Sequence, residues 1–286
     1  VSQIHFLECS GNGRSEYSAA PAATVQASHG LASCSEWTGV PVRMLLEEAK
    51  LKPEAKWMIA EGADPCHLTR SIPMTKILDD AMIVYAQNGE PMRPEQGYPM
   101  RLLLPGYEGN MNVKWLRRLK LTDGPVMAIN ESRQYTLLLD SGKAWRFYYP
   151  QEVKSFITHP SFSNNLKGPG FYEISGIAYS GTGRIAKVMV SADGGKSWGE
   201  AALQGPVHPK AFTRFRMPWR WDGGPTVLQS RAWDESGNFQ PTRAEFVAVR
   251  GETKGVPNVA GFPNQHYNST TSWSVASNGE VKHVYA

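Results

Sequence analysis

The periodicity of the chain changes near residue 150, and that change divides it into two differently built halves. Upstream, helical and strand patterns alternate. Val42 to Ala49 (VRMLLEEA) has the apolar spacing and good formers of a short helix, with Pro41 suited to its first turn. Ile72 to Leu78 predicts the start of a second short helix at Pro73. Met58 to Ala60, Met82 to Tyr85 and Met100 to Leu104 are short apolar runs between turn residues, which predicts strands. Val1 to Leu7 reads as the middle of another strand, so an upstream segment is expected. Residues 1–150 therefore predict a mixed α+β domain. Beyond about residue 152 the helix signal vanishes. Tyr172 to Tyr179 and Ile185 to Ser191 alternate, and Asp193-Gly194-Gly195 is a hairpin turn signal. Phe212 to Met217, Thr226 to Ala232 and Glu245 to Val249 predict further strands, with turns at Asp222-Gly223-Gly224 and Ser236-Gly237-Asn238. Short strands with regular turns predict a β-sandwich over 151–254. Residues 255–286, rich in Gly, Asn, Ser and Pro, predict an extension that wraps back over another surface.

Composition removes several function classes. The 286 residues suit two domains. The net charge of +4 is modest and its basic residues are scattered, so no nucleic-acid stripe is expected. No stretch approaches the roughly 20 apolar residues of a membrane span. Three cysteines, Cys9, Cys34 and Cys66, are too few and odd in number for a disulfide scaffold. The seven histidines form no metal-ligand spacing such as a helical i, i+4 pair, and only His266 is expected near a site. Trp198, Trp219 and Trp221 are expected in the sandwich core or at a subunit contact.

The informative segment is Phe6-Leu7-Glu8-Cys9-Ser10-Gly11-Asn12-Gly13-Arg14-Ser15-Glu16. An apolar strand ends at a cysteine, followed by small turn residues and an arginine. Backbone donors and a fixed positive charge favour a thiolate, the form that binds soft metals. On the local pattern alone, a half-buried cysteine before a turn is the favoured reading.

Cys9-Ser-Gly-Asn-Gly-Arg-Ser-Glu16 resembles the cysteine motif of the sulfite oxidase family, Cys-Ala-Gly-Asn-Arg-Arg-Ser-Glu. Six further blocks follow in the family's order: Ser33 to Val42 (SCSEWTGVPV), Ser71-Ile72-Pro73, Asn88-Gly89-Glu90-Pro91, Gly97 to Arg101 (GYPMR), Asn112 to Leu116 (NVKWL) and Ser191 to Trp198 (SADGGKSW). Ser-Glu-Trp-Thr-Gly-Val-Pro, together with Tyr107-Glu-Gly-Asn-Met111 in place of the sulfite oxidase loop, most resembles the sulfane dehydrogenase branch, the catalytic subunits of thiosulfate-oxidising Sox systems.

The resemblance implies a sulfite-oxidase-type molybdopterin-binding domain, followed by an immunoglobulin-like sandwich that forms a homodimer. It implies a molybdenum–molybdopterin cofactor with Cys9 as the protein ligand to the metal. Arg14 matches the second motif arginine, which faces the substrate oxyanion; Gly13 replaces the first. A lone arginine after a turn is otherwise usually solvated. Arg101, Asn112, Val113 and Lys114 match positions that hold the pterin and its phosphate, Asp64 matches a pterin-contacting acid, and Gln96 stands where many members carry a pterin-contacting histidine. Tyr135 falls at the spacing of the family's active-site tyrosine, with Arg133 beside it; packing at an interdomain seam is the alternative. The implied activity is oxidation of a carrier-protein-bound sulfane sulfur by oxygen-atom transfer, the alternative being a periplasmic sulfite dehydrogenase. The implied acceptor is a separate, diheme-type cytochrome c subunit in a heterotetramer, since no Cys-x-x-Cys-His motif occurs here. Periplasmic export is the matching expectation. Two departures bear on substrate. The family's late arginine is absent from Asn264-Gln265-His266-Tyr267-Asn268, and another family arginine lies upstream of this sequence. A site short of positive charge is expected to receive sulfur on a protein arm. Phe147-Tyr148-Tyr149 is read as either a partner contact or core.

Overall fold

The computed structural model describes residues 1–17, 21–138, 142–145, 147, 149–250 and 266–286. The first half is built on two antiparallel sheets. In one, strand Ser2–Glu8 pairs with Ala32–Pro41, which pairs with Met82–Gln87, and that strand also takes Glu90–Pro91 and Arg101–Leu103. In the other, Trp57–Gly62 lies between Thr69–Pro73 and Leu116–Thr122. Short helices Val42–Glu48 and Met74–Asp79 start immediately after Pro41 and Pro73. Proline ends each preceding strand, and its fixed φ leads into the helix without requiring an N–H partner. Met58, Ile72, Ile77, Leu102, Leu104 and Val113 fill the core between these elements.

The second half is a β-sandwich. One sheet orders Lys154–His159, Gly170–Tyr179, Thr213–Trp221 and Ala202–Gln204; the other orders Gly199–Glu200, Ile185–Ser191, Thr226–Asp234, Ser272–Val275 and Val281–Val284. All pairings are antiparallel. The last two strands come from the segment read as an extension, so its described part completes a sheet. Trp221 is in the sandwich core, Trp219 packs against it and Trp198 is half-buried. Tyr149 is buried in the first core with Phe147 against it, while Tyr148 lies outside the described residues.

One predicted strand is corrected. Glu245 to Val249 belongs to helix Arg243–Arg250. Thr242 and Glu245 cap it reciprocally: Glu245 N donates to Thr242 Oγ1 at 3.2 Å and Thr242 N donates to Glu245 Oε2 at 2.7 Å. The β-branched Val247 and Val249 suggest a strand, but the cap and the burial of Phe246 against Tyr17 and Tyr267 outweigh that preference.

The halves share a core. Phe6, fully buried, stacks within 4.7 Å of Tyr179 from the sandwich, and its N–H donates to Lys210 O at 3.0 Å. Burying such a side chain contributes roughly 1.5–3 kcal/mol. Phe6 lies three residues before Cys9, so the packing that joins the halves also sets where the strand ends.

Candidate active site

The strand Ser2–Glu8 stops at a turn that Asn12 holds closed. Asn12 N donates to Cys9 O at 2.9 Å, Asn12 Nδ2 donates to Glu8 Oε1 at 2.8 Å, and Asn12 Oδ1 accepts from Leu31 N at 3.0 Å. The Cys9 thiol is left free and exposed. A Cβ on Gly11 would lie 3.8 Å from Cys9 Sγ and 3.9 Å from Arg14 Cδ, so both side chains reach over the same bare backbone. Gly109 makes a second close approach, since a Cβ there would meet Glu8 O at 2.9 Å.

Gly13, where the related motif has arginine, has φ +92°, and a Cβ would lie 3.1 Å from Tyr267 Cβ. The left-handed backbone and the Tyr267 wall together disfavour a side chain at this position. Gly13→Ala is expected to cost about 1–2 kcal/mol, read as a lower urea midpoint; an unchanged midpoint would show that the turn relaxes freely.

Beneath the turn lies a buried charge cluster. Glu8 is wholly buried and accepts from Lys154 Nζ at 2.6 Å and Tyr179 Oη at 2.8 Å, with His266 Nε2 3.5 Å away. Burial alone would raise the Glu8 carboxyl, but Lys154 and His266 hold it well below the usual carboxylate range. His266 continues to Glu152, 3.3 Å from Nδ1, and Glu152 pairs with Arg250 at 2.5 Å. His266 is thus near Cys9, as read from the sequence, but its side chain is fully buried beneath the turn and supplies no charge to the open side.

On the open side, Cys9 lines a cleft of about 750 Å³. Gln96, Arg101, Asn112, Lys114 and Tyr135 line it too, so six of the nine residues singled out in the sequence converge there. Arg14 is exposed beside Cys9, outside that lining. Asp64 is also outside it, because its carboxylate turns into its own loop, accepting from Cys66 Sγ at 2.6 Å and Leu68 N at 3.3 Å. The Val113 side chain is wholly in the first core. Asn112 spends its amide on the loop before it: Oδ1 accepts from Leu104 N at 2.6 Å and Nδ2 donates to Glu108 O at 2.9 Å.

The cleft's cations are held in place by carbonyls. Arg101 is buried and donates to Gln96 O at 3.0 Å and Asn112 O at 2.9 Å, with its guanidinium 5.3 Å from the Trp37 ring centre. Its Nε is buried without a partner, and it makes no ion pair among the described residues. Burial pulls its pKa down to about 10. Lys114 packs against Gly97, where a Cβ would lie 3.0 Å from Lys114 Cβ, and donates to Glu95 O at 3.0 Å. Burial and then Arg101 lower the Lys114 pKa. Two neighbouring cations that make no ion pair among the described residues favour a bound anion. Among the described residues no three His, Cys, Asp or Glu side chains come together as a metal site, so a metal at Cys9 would draw its other ligands from a cofactor.

Tyr135 follows the Asn130–Gln134 turn, and Arg133 is exposed on that turn. The Tyr135 ring lies 4.8 Å from the Arg70 guanidinium. Burial raises the Tyr135 phenol and Arg70 opposes the rise. Arg70 went unnoticed in the sequence although it directly precedes Ser71-Ile72-Pro73.

Comparison with known proteins decides the family. Residues 1–129 match the oxidoreductase molybdopterin binding domain, and residues 143–256 match the Mo-co oxidoreductase dimerisation domain. The sulfane dehydrogenase SoxCD from Paracoccus pantotrophus superposes with a TM-score of 0.93 at 43% identity, covering 100% of this chain and 72% of that one. The chain belongs to the sulfite oxidase family of molybdopterin oxidoreductases. Its cofactor is a molybdenum–molybdopterin, which the cationic cleft beside a free thiol fits. Other members of the family are similar in sequence. A barley (Hordeum vulgare) nitrate reductase [NAD(P)H] is 30% identical over 83% of this chain, and an inducible nitrate reductase [NADH] of Glycine max is 31% identical over 83%. The chain spans 31% of the length of each of those two reductases. Among the described residues no helix is long and apolar enough to cross a membrane.

Proposed function

We propose that this family member is the catalytic subunit of a molybdenum sulfane dehydrogenase, with Cys9 as the metal's protein ligand. The observation that carries the reading is the sharing of one cleft by the Cys9 thiol and the carbonyl-held cations Arg101 and Lys114. When bound, the molybdenum centre supplies oxygen-atom transfer to sulfur and takes up two electrons. Arg101 and Lys114 hold the anionic end of the pterin, and the carbonyls of Gln96 and Asn112 fix the Arg101 fork before it binds. Arg14 and Tyr135 face the substrate, Arg14 offering a fork to a sulfur oxyanion and Tyr135 a phenolic donor. Electrons pass to a separate cytochrome c subunit, and the complex works in the periplasm as a dimer built on the sandwich.

The choice of a carrier-bound substrate rests on missing charge. Gly13 occupies one position where relatives place arginine, and its left-handed backbone and the Tyr267 wall disfavour a side chain there. His266 stands in the late segment but points into the buried cluster. Fewer cations weaken the hold on a small dianion, and a sulfur presented on a protein arm depends on them less. Steady-state assays with cytochrome c as acceptor test the choice. Sulfane sulfur on a carrier-protein cysteine is expected to be oxidised, with free sulfite a poor substrate. A micromolar Michaelis constant for sulfite, with no turnover of the carrier, would overturn the reading.

A further inference from the structure

Arg70 is the largest buried cation at the cleft whose function the preceding reading leaves unassigned. It sits on strand Thr69–Pro73 and is 2% exposed. Its Nε lies 3.0 Å from Glu131 Oε1, and Glu131 Oε1 also accepts from Ser71 N at 2.9 Å. One terminal nitrogen donates to Asn110 Oδ1. The guanidinium carbon lies over the Tyr135 ring, 4.8 Å from its centre. Arg70 does not line the cleft, whereas Asn110 and Tyr135 both do, together with Cys9.

This arrangement determines which way Asn110 faces. Arginine can only donate, so Asn110 must present its oxygen to Arg70. The amide nitrogen then points the other way, and Nδ2 donates to Glu108 Oε2 at 2.9 Å. Nδ2 carries a second hydrogen, and Asn110 is itself part of the cleft lining. The same guanidinium, lying over the ring, limits where Tyr135 can move. A lysine would keep the charge but lose both the planar fork and the stacking face.

We infer that Arg70 is a positioning residue, which sets the Asn110 amide and the Tyr135 phenol as paired donors toward a sulfur oxyanion bound beside Cys9. The inference rests on the reading of the cleft as an oxyanion-binding site. It adds a specificity element from Tyr107-Glu108-Gly109-Asn110-Met111, the loop in which this chain departs from the sulfite oxidase pattern. Neutral donors fixed by a buried cation would partly stand in for the arginines missing at the surface of the site.

Sulfate, an unreactive sulfur oxyanion, is the probe. Its binding to the cofactor-loaded chain is measured by calorimetry, with molybdenum and pterin content determined on each sample. Arg70→Met is expected to weaken sulfate about tenfold at unchanged cofactor content. In an Asn110→Ala/Tyr135→Phe background the same change should cost less than about twofold, because residues acting through one another are not additive. Arg70→Lys, which keeps a charge opposite Glu131, is the variant to use if Arg70→Met does not fold, and the same loss and the same non-additivity are expected. An equal loss in both backgrounds, or no loss in either, would overturn the positioning role. Wild-type protein that fails to bind sulfate would overturn the oxyanion reading itself.

Discussion

Cys9→Ser is expected to abolish oxidation of a sulfur substrate while leaving the fold intact. A hydroxyl is a much poorer ligand than a thiolate for a soft metal. The fall in turnover should exceed the ~100-fold that removal of a group behind a metal ligand costs. The protein itself should hardly notice, since the Cys9 side chain is exposed and the turn is closed by backbone groups and Asn12. Exposed sites of this kind usually change stability by less than about 0.5 kcal/mol. Metal analysis, pterin fluorescence and circular dichroism on one preparation separate loss of the ligand from loss of structure. Unchanged turnover in a folded Cys9→Ser protein would remove the thiol from the metal's ligands.

Lys154→Met should have the largest effect on stability. It removes the ammonium that lies 2.6 Å from a fully buried carboxylate, Glu8. Breaking a buried pair on one side typically costs about 3–5 kcal/mol, because the remaining charge has lost its partner and cannot reach water. Urea denaturation reads the loss. Adding Glu8→Gln to Lys154→Met should recover most of it, since the amide keeps the shape and its partners without the charge. A single-variant cost below about 1 kcal/mol would show that Asn12, Tyr179 and His266 suffice to hold the carboxylate.

Glu8 and Lys154 also mark where the sequence stops being readable. Their pairing spans 146 positions and leaves no local pattern, so nothing in either segment announces it. Arg70 was invisible for a related reason: a lone arginine in a strand looks solvated until its partners Glu131, Asn110 and Tyr135 are seen around it. Cys9, Arg101 and Lys114 were legible because a strand end, a turn and ordered motif blocks mark them locally, Tyr135 only by its spacing from them, and the cleft gathers all four. Much of the fold was legible on the same terms. Pro41 and Pro73 announce the two early helices, and alternation announces the sandwich strands. The helix over Arg243–Arg250 was missed because the β-branched Val247 and Val249 suggest a strand, and the Thr242 and Glu245 cap went unread. That error had a cost for the site, since this helix carries Phe246 and Arg243, which pack and hydrogen-bond onto Tyr267 behind Gly13.

Tyr267 and His266, which brace the Cys9 turn from below, lie far along the chain from it. Tyr17, at the far end of that turn, donates to His266 O across a separation of 249 positions. Such distant closures form late in folding, after local strands and helices. A first half cut away from the second would therefore present Cys9 on an unsupported turn.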